Sequence, residues 1–355
     1  MSETQSSLIS RSEGIVNLEM PFSSLKDFVT PNESFYVRCH FPIPEIAAKN
    51  WRLRVEGAVT TPLEIGYAEL EAMPQQTLTA AMECAGNGRA FLQPKVKGVQ
   101  WGLGAIGNAQ WSGVSLGAIL RRAGVKAKAV EVILQGADQG EIKDAPKPPG
   151  SIHYARSLPM AKAQSDVLLA LRMNEKPLTP SHGYPLRAVV PGWFGMASVK
   201  WLERIIVSEE PFNGYYQSID YTFWKRRDGN LPSLHSLGEM PVKAQIARPE
   251  PGEVISPNET YRIHGAAWGG EATVAKVELS FDDGKTWAKA TLLDEALESA
   301  WRFWEFKWKT PAQPGKAKVI ARATDSAGRT QPAERIADYG TYMVNHWLPI
   351  EVEVR

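Results

Sequence analysis

Residues 76–89 read QTLTAAMECAGNGR, and the fold class turns on how this stretch is parsed. Its first half mixes threonines with apolar residues and predicts a strand over 76–82; its second half is a run of small residues in which Gly86 and Gly88 flank Asn87. A cysteine where a strand gives way to a glycine loop lies where backbone can approach a ligand closely. Position alone therefore makes Cys84 a candidate functional residue.

Toward the N-terminus, 10–32 reads as an irregular lead-in punctuated by Pro21 and Pro31, and 35–40 as a short extended stretch ended by Pro42 and Pro44. Residues 51–55 (WRLRV) alternate as a half-buried strand does, and 63–72 reads as a short helix. Toward the C-terminus, 114–123 (VSLGAILRRA) has helical spacing and stops at Gly124; 130–135, 186–190 and 201–208 read as strands, and 166–173 as a strand or short helix. The first part is thus expected to be a mixed α+β domain rich in loops rather than a regular βαβ repeat. Near Met240-Pro241 the character changes, with Pro249, Pro251, Pro257 and Gly252 marking a turn-rich region. Beyond it strands recur at 261–267, 274–281, 286–287, 301–308, 318–324 and 342–354, with turns at Asp283-Gly284 and 325–328. Trp301 with Phe303, and Phe306 with Trp308, lie at period two and share a face within each pair. About seven short strands over this length predict an all-β sandwich of immunoglobulin type. The expected division is 1–240 and 241–355.

Two domains also suit 355 residues, more than one hydrophobic core usually fills. The 40 Lys+Arg against 39 Asp+Glu leave a net charge of +1, which gives neither the basic field that nucleic acid needs nor a polybasic membrane patch. No apolar run approaches the roughly 20 residues of a membrane helix. Residues 1–14 are polar, without a hydrophobic signal core or twin-arginine pair, so a cytoplasmic location is expected. Cys39 and Cys84 are the two cysteines, and sparse thiols in a large chain fit a reducing compartment. There is no CxxC, HExxH, GxSxG or Walker sequence. Gly102-Leu103-Gly104-Ala105-Ile106-Gly107 matches GxGxxG as letters, but it follows no buried strand and opens no helix, so its glycines read as close-packed loop positions.

Three local clusters bring thiol, imidazole and guanidinium groups together: Tyr36-Val37-Arg38-Cys39-His40, 83–89, and His182-Gly183-Tyr184-Pro185-Leu186-Arg187. Guanidinium forks bind phosphate bidentately and a thiolate is a soft metal ligand, which together point to an anionic metal cofactor. In order and spacing, FYVRCHFPIPE from Phe35, CAGNGR from Cys84, KGVQWGLGAIGNAQWSG from Lys97, HGYPLRAVVPGWFG from His182, VKWLERI from Val199 and QSIDY from Gln217 resemble the sulfite oxidase family of molybdopterin enzymes. The resemblance covers nearly the whole chain, the sandwich corresponding to that family's C-terminal dimerisation domain, and it implies a homodimer. It implies that Cys84 ligates molybdenum, while Tyr36, Val37, Arg38, Cys39, His40, Asp138, His182, Arg187, Ser198, Val199 and Lys200 hold the pyranopterin and its phosphate. Arg38, Arg89, Trp101 and Tyr221 would line the substrate pocket, with Asp220 fixing the Tyr221 segment. The Cys39 thiol itself reads as a small buried hydrophobe, because the family usually has a non-thiol residue between its Arg and His.

The implied activity is oxidation of sulfite, a small oxyanion, to sulfate by oxygen-atom transfer at a Mo-pyranopterin centre. With no CxxCH haem motif, the electrons would go to an external acceptor, a cytochrome or oxygen. The alternatives are a sulfoxide or nitrate reductase of the same cofactor class, or a metal-free binding or scaffold protein on the same fold. Two departures bear on the substrate: the family's usual CAGNRR is here CAGNGR, with Gly88 in place of one arginine, and a further arginine expected late in the second domain has no match near Gly340.

Overall fold

A computed structural model of the chain describes residues 8–227 and 231–355, so the part of the polar start that precedes Leu8 lies outside the described residues. The strand around which the first part is built is Gln76–Glu83, which pairs antiparallel with Ile106–Ser115, Glu83 opposite Ile106. Leu168–Met173 lies on the far side of Ile106–Ser115, flanked in turn by Lys176–Pro177 and Arg187–Val189. A second five-stranded sheet has the order Leu63–Gly66, Arg52–Gly57, Leu202–Ser208, Glu131–Glu141, Ser151–Pro159. Only Arg52–Gly57 and Leu202–Ser208 run parallel within it. Helices are few and short, which makes this half mixed but strand-rich.

Two expected helices are trimmed by strand pairing. Residues 63–72 divide into the strand Leu63–Gly66, hydrogen-bonded to Arg52–Val55, and the helix Tyr67–Ala72. The helix expected from 114 begins at Leu116, because Val114 and Ser115 pair with Leu169 and Leu168. Ser115 then caps it, its hydroxyl accepting from the Ala118 amide at 3.4 Å, and Gly124 ends it in the left-handed region at φ 69°. Leu116, Ile119, Leu120 and Ala123 are its buried stripe, at the spacing that keeps one helical face inward.

The GxGxxG letters belong to a loop packed against the lead-in. A Cβ on Gly104 would overlap the carbonyl oxygen of Met20, whose amide donates to Gly104 O at 3.2 Å, so close backbone contact explains the glycine without any nucleotide.

The second part is a sandwich of two sheets. One has the order Lys243–Arg248, Thr260–Trp268, Arg302–Lys309, Thr291–Leu292; the other Val254–Ile255, Ile350–Val354, Gly315–Asp325, Val274–Ser280, Ala288–Lys289. Three of these strands are two-residue pieces, too short to signal themselves in sequence. The final strand is Ile350–Val354 alone; 342–349 is irregular and crosses back toward the Cys84 loop, so the expectation of a strand over 342–354 is corrected there. Arg302–Lys309 and the residue before it serve two cores: Trp304, Phe306 and Trp308 fill the sandwich, while Trp301 and Phe303, of the other parity, pack into the core of the first part. Met240 belongs to the first core and Val242 to the second.

The two parts are joined by a buried ion pair. Lys243 Nζ donates to Glu83 Oε1 at 2.9 Å with both side chains nearly inaccessible, and Trp268 Nε1 donates to Glu83 Oε2 at 2.9 Å. Removing one partner of such a pair leaves an uncompensated buried charge. Lys243→Met is therefore expected to destabilise the fold by about 3–5 kcal/mol. An unchanged guanidinium midpoint for the variant would show that the pair does not hold the two parts together.

Candidate functional site

Cys84 follows directly on the strand Gln76–Glu83, and its loop is fixed on several sides. The Cys84 amide donates to Ala105 O at 2.8 Å, and the Asn87 amide closes back on Cys84 O at 2.8 Å. Asn87 Nδ2 reaches Glu83 Oε1 at 3.0 Å, while its Oδ1 accepts from the Ala105 amide at 3.1 Å. Gly88 sits at φ 88°, where a side chain would be strained, and a Cβ there would lie 3.1 Å from Val344 Cγ1. From the second part, the Met343 amide donates to Ala85 O at 2.9 Å.

The thiol opens onto a cavity that collects the clusters read from sequence: Tyr36, Arg38, Cys39, His40, Cys84, Asp138, His182, Arg187, Ser198, Val199, Lys200 and Tyr221 line it, together with Tyr154 and Met82. Val37, Arg89, Trp101 and Asp220 stand behind that lining. Val37 packs with Cys39 and Trp201 in a small apolar cluster. Trp101, fully buried, meets the Tyr36 ring edge-on at 6.4 Å and backs the cluster that contains Cys84. Arg89 is 4% exposed: its Nη1 donates to Val99 O at 2.8 Å, its Nε to Thr341 O at 3.0 Å, and its guanidinium lies 5.0 Å from the Tyr342 ring centre. Asp220 Oδ1 accepts from the Tyr221 amide at 3.0 Å and from the Tyr342 hydroxyl, so it fixes both phenols.

Charge in the cavity is lopsided. Arg38, Arg187 and Lys200 supply cations, and Asp138 is the one carboxylate among the described residues of its lining. Arg187 donates to His182 O at 3.2 Å and Ser198 O at 3.1 Å and stacks 4.9 Å from Trp111; Lys200 Nζ donates to Ser181 O at 2.9 Å and lies 3.3 Å from Cys39 Sγ. Carbonyl dipoles thus hold cations that form no ion pair with a carboxylate among the described residues. Burial lowers the Arg187 pKa to about 10, with Tyr36 opposing, and it lowers that of Lys200 despite Cys39. Burial also takes His182 down to about 3, reinforced by Arg187 and Lys200. His40 falls well below the usual imidazole range, from burial first and then from Arg38, Lys200 and Arg156. For Cys84 burial pushes the thiol up and Arg38 pulls it back.

An aromatic wall completes the site. His40 Nε2 and the Tyr221 hydroxyl are 2.7 Å apart, and the His40 ring stacks on Tyr154 at 4.4 Å and meets Tyr216 at 4.7 Å. Burial raises the Tyr221 pKa, with Arg38 opposing, so a protonated phenol meets a neutral imidazole. Tyr154, Arg156, Tyr216 and Tyr342 were missed by sequence reading. Tyr154 and Arg156 share a face of the strand Ser151–Pro159, and that alternation was the available signal. Tyr342 gave none beyond its nearness to Gly340.

An oxidoreductase molybdopterin binding domain matches residues 40–216, and a Mo-co oxidoreductase dimerisation domain matches 235–355. The mitochondrial sulfite oxidase of Drosophila melanogaster is 34% identical over 364 residues, covering 95% of this chain and 62% of that protein, so the chain spans less than two thirds of it. The sulfite oxidase of Gallus gallus is 35% identical over 335 residues, 89% of this chain and 71% of that protein. Among solved structures, the sulfane dehydrogenase SoxCD of Paracoccus pantotrophus superposes with a TM-score of 0.82 at 28% identity, covering 98% of this chain and 88% of that one.

Asp138 lies within the strand Glu131–Glu141 where its pairing with Ser151–Pro159 slips between Gln135 and Gln139, and its Oδ1 is buried without a hydrogen-bond partner. Burial raises its pKa to about 7, against the pull of Lys200. The folded state therefore holds this proton more tightly than the unfolded chain, and the residue's contribution weakens as pH rises from about 4 to about 7, by on the order of 4 kcal/mol. Cofactor-free Asp138→Asn is expected to match the parent near pH 4 and to exceed it in stability above pH 7. His182, held low, has the opposite slope, present above its unfolded value and lost toward pH 3, but it is common to both proteins and cancels in the difference. Equal urea midpoints for the two proteins at high pH would refute this account of Asp138.

Proposed function

The chain belongs to the sulfite oxidase family of molybdopterin oxidoreductases, and from that membership we propose that it oxidises sulfite to sulfate at a molybdenum–pyranopterin group ligated by Cys84. The observation that carries this reading is the convergence of Cys84, Arg38, Arg187 and Lys200 on one cavity whose sole carboxylate among the described residues is Asp138. The residues fit such a group: cations that form no ion pair among the described residues suit a phosphate-bearing pterin, the orphaned Asp138 Oδ1 suits a ring N–H donor, and Cys84 offers one soft ligand. Among the described residues no group of three or more His, Cys, Asp or Glu side chains forms a site for a metal ion.

When bound, that group supplies oxygen-atom transfer and two-electron chemistry that side chains lack. The chain supplies position, charge and exclusion of water. Tyr36, Val37, Arg38, Cys39, His40, Asp138, His182, Arg187, Ser198, Val199 and Lys200 hold the pterin and its phosphate in this reading. The Cys84 proton, favoured by burial, leaves when the thiol becomes a ligand. Arg38 faces Cys84 and Tyr221 and takes the charge of the oxyanion, while the Tyr221 hydroxyl, pinned by His40, orients it. Oxidation of sulfite to sulfate consumes one water and releases two protons and two electrons, which pass to an external acceptor, a cytochrome or oxygen. Arg89, committed to two carbonyls and the Tyr342 ring, acts by positioning rather than by direct contact. Residues 241–355 act as the dimerisation half of a homodimer, and sedimentation tests this.

Protein purified from a host that makes the cofactor is expected to contain molybdenum, to lose it on Cys84→Ser, and to reduce ferricyanide with sulfite but not with sulfate. A correctly folded parent free of molybdenum would sink the reading, and turnover of sulfoxide or nitrate in its place would redirect it. Arg38→Met is expected to raise KM for sulfite by about tenfold or more, the scale of a lost charged hydrogen bond. Arg89→Ala should raise it less while lowering the melting temperature; the reverse ranking would return Arg89 to the substrate pocket.

A further inference from the structure

Arg156 is a buried cation that the proposed reaction leaves unused. It lies on the strand Ser151–Pro159, two residues beyond Tyr154 on the same face, and its side chain is closed to solvent. Its Nη1 donates to Tyr216 O, its Nη2 donates to Leu237 O at 2.7 Å, and its Nε is buried without a hydrogen-bond partner among the described residues. Burial lowers its pKa, and the groups that oppose this are Tyr154, Tyr221, Asp220 and Tyr342, all at or around Tyr221. Taking a cation out of water to meet two carbonyls is costly, and an apolar side chain would fill the same place without that cost. Stability alone is therefore a poor reason for an arginine here.

The two carbonyls it holds lie on either side of Tyr221. Tyr216 belongs to the short helix Tyr215–Ser218 that leads into it, and Leu237 follows the strands Thr222–Arg227 and Leu231–Ser236, whose pairing brings the chain back beside it. The Leu237 amide donates to Tyr221 O at 2.9 Å, so Leu237 is bonded to Arg156 through its carbonyl and to Tyr221 through its amide. The strand that carries Arg156 adds a second tie to the helix, the Ser157 amide donating to Gln217 Oε1 at 3.1 Å. Tyr221 needs such restraint: its φ is 39°, a left-handed conformation that a bulky side chain adopts only where its surroundings dictate it. The charge of Arg156 also reaches the partner of the phenol. It adds to burial, Arg38 and Lys200 in keeping His40 neutral, and His40 Nε2 lies 2.7 Å from the Tyr221 hydroxyl.

We propose that Arg156 is a positioning residue for Tyr221: by bridging the segment before it to the segment that returns beside it, Arg156 holds the phenol toward the cavity where the anion is oxidised. The inference rests on the sulfite reading above and deepens it by adding a residue that meets neither substrate nor cofactor. Arg156 does not line the cavity, whereas Tyr221 does, so its influence on the anion passes through Tyr221. An arginine suits the task because its rigid planar fork spans two fixed acceptors at once, which a lysine cannot do with the same geometry. Orientation of the anion is realised in the transition state, so loss of the bridge falls on kcat more than on KM.

The test joins the kinetics of the cofactor-loaded enzyme, with sulfite and ferricyanide, to amide hydrogen exchange of the same protein. R156M is expected to keep the molybdenum content of the parent and to lose about tenfold or more in kcat, with KM changed by no more than about threefold, the scale of a lost charged hydrogen bond. In a Y221F background the same change should cost no more than about twofold, because no phenol hydroxyl is then left to place. R156K, which keeps the charge but not the fork, should lie between the parent and R156M. Exchange at the Leu237 amide is expected to quicken about tenfold or more in R156M. Should R156M fail to fold, R156K in the parent and Y221F backgrounds carries the same comparison. A lower melting temperature with parent kinetics would overturn the inference by making the role purely structural, and so would equal losses with and without the Tyr221 hydroxyl. If the loaded parent reduced no ferricyanide with sulfite, the sulfite reading would fall instead, and Leu237 exchange at the parent rate in R156M would still overturn the bridge.

Discussion

Glu83 is the residue on which the site depends. Its two carboxylate oxygens receive Lys243, Asn87 and Trp268, so a single buried acid from the strand before Cys84 is held by two strands of the other half of the chain. Such a pair is weak evidence of stability, since well-packed apolar residues often do as well. Its consequence here is geometric. The cysteine cannot shift along its strand without breaking a charge pair that has no water to fall back on. The amide of Met343 on Ala85 and the carbonyl of Thr341 under Arg89 add to the same restraint. The sandwich is thereby part of the site's scaffold.

The second constraint is electrostatic. Arg38, Arg187 and Lys200 share one cavity, and the protein stabilises them with carbonyls, a phenol and indole faces rather than with carboxylates. That arrangement keeps His40 and His182 neutral, since each added positive charge would repel the others. It also explains why Asp138 is pulled two ways, by burial against ionisation and by Lys200 toward it. A site so arranged receives anions without first having to break ion pairs, which is the physical content of preorganisation.

Much of the site was legible in short stretches. Arg38 and His40 on one extended segment, the CAGNGR loop, and His182 with Arg187 are local patterns, and local patterns survive the loss of tertiary information. The helix expected from 63 and the strand expected from 342 failed for the opposite reason: each was decided by what the segment pairs with, Arg52–Val55 in the first case and the Cys84 loop in the second. Lys243 reads as an ordinary surface lysine until Glu83 is placed beside it. Tyr342 is unremarkable until its hydroxyl is seen on Asp220 and its ring against Arg89 and Tyr221.

That last cluster also bears on Gly88 and Arg89 of the CAGNGR loop. Gly88 adopts a left-handed φ of 88° with Val344 close to where a Cβ would point, so an arginine there would be strained by about 1–2 kcal/mol and would press on the strap that carries Tyr342. Near Gly340 the strap carries the phenol of Tyr342, Arg335 donates to Gly340 O, and the one arginine that CAGNGR retains is turned onto the carbonyls of Val99 and Thr341. The three features are one arrangement: a glycine that lets the strap approach, an aromatic on the strap, and an arginine spent on holding it. The cavity that results holds Arg38, whose Nη1 donates to Asn17 Oδ1 at 3.3 Å and to Cys39 O, beside phenol hydroxyls, so discrimination among anions there would rest on hydrogen-bond geometry more than on summed charge.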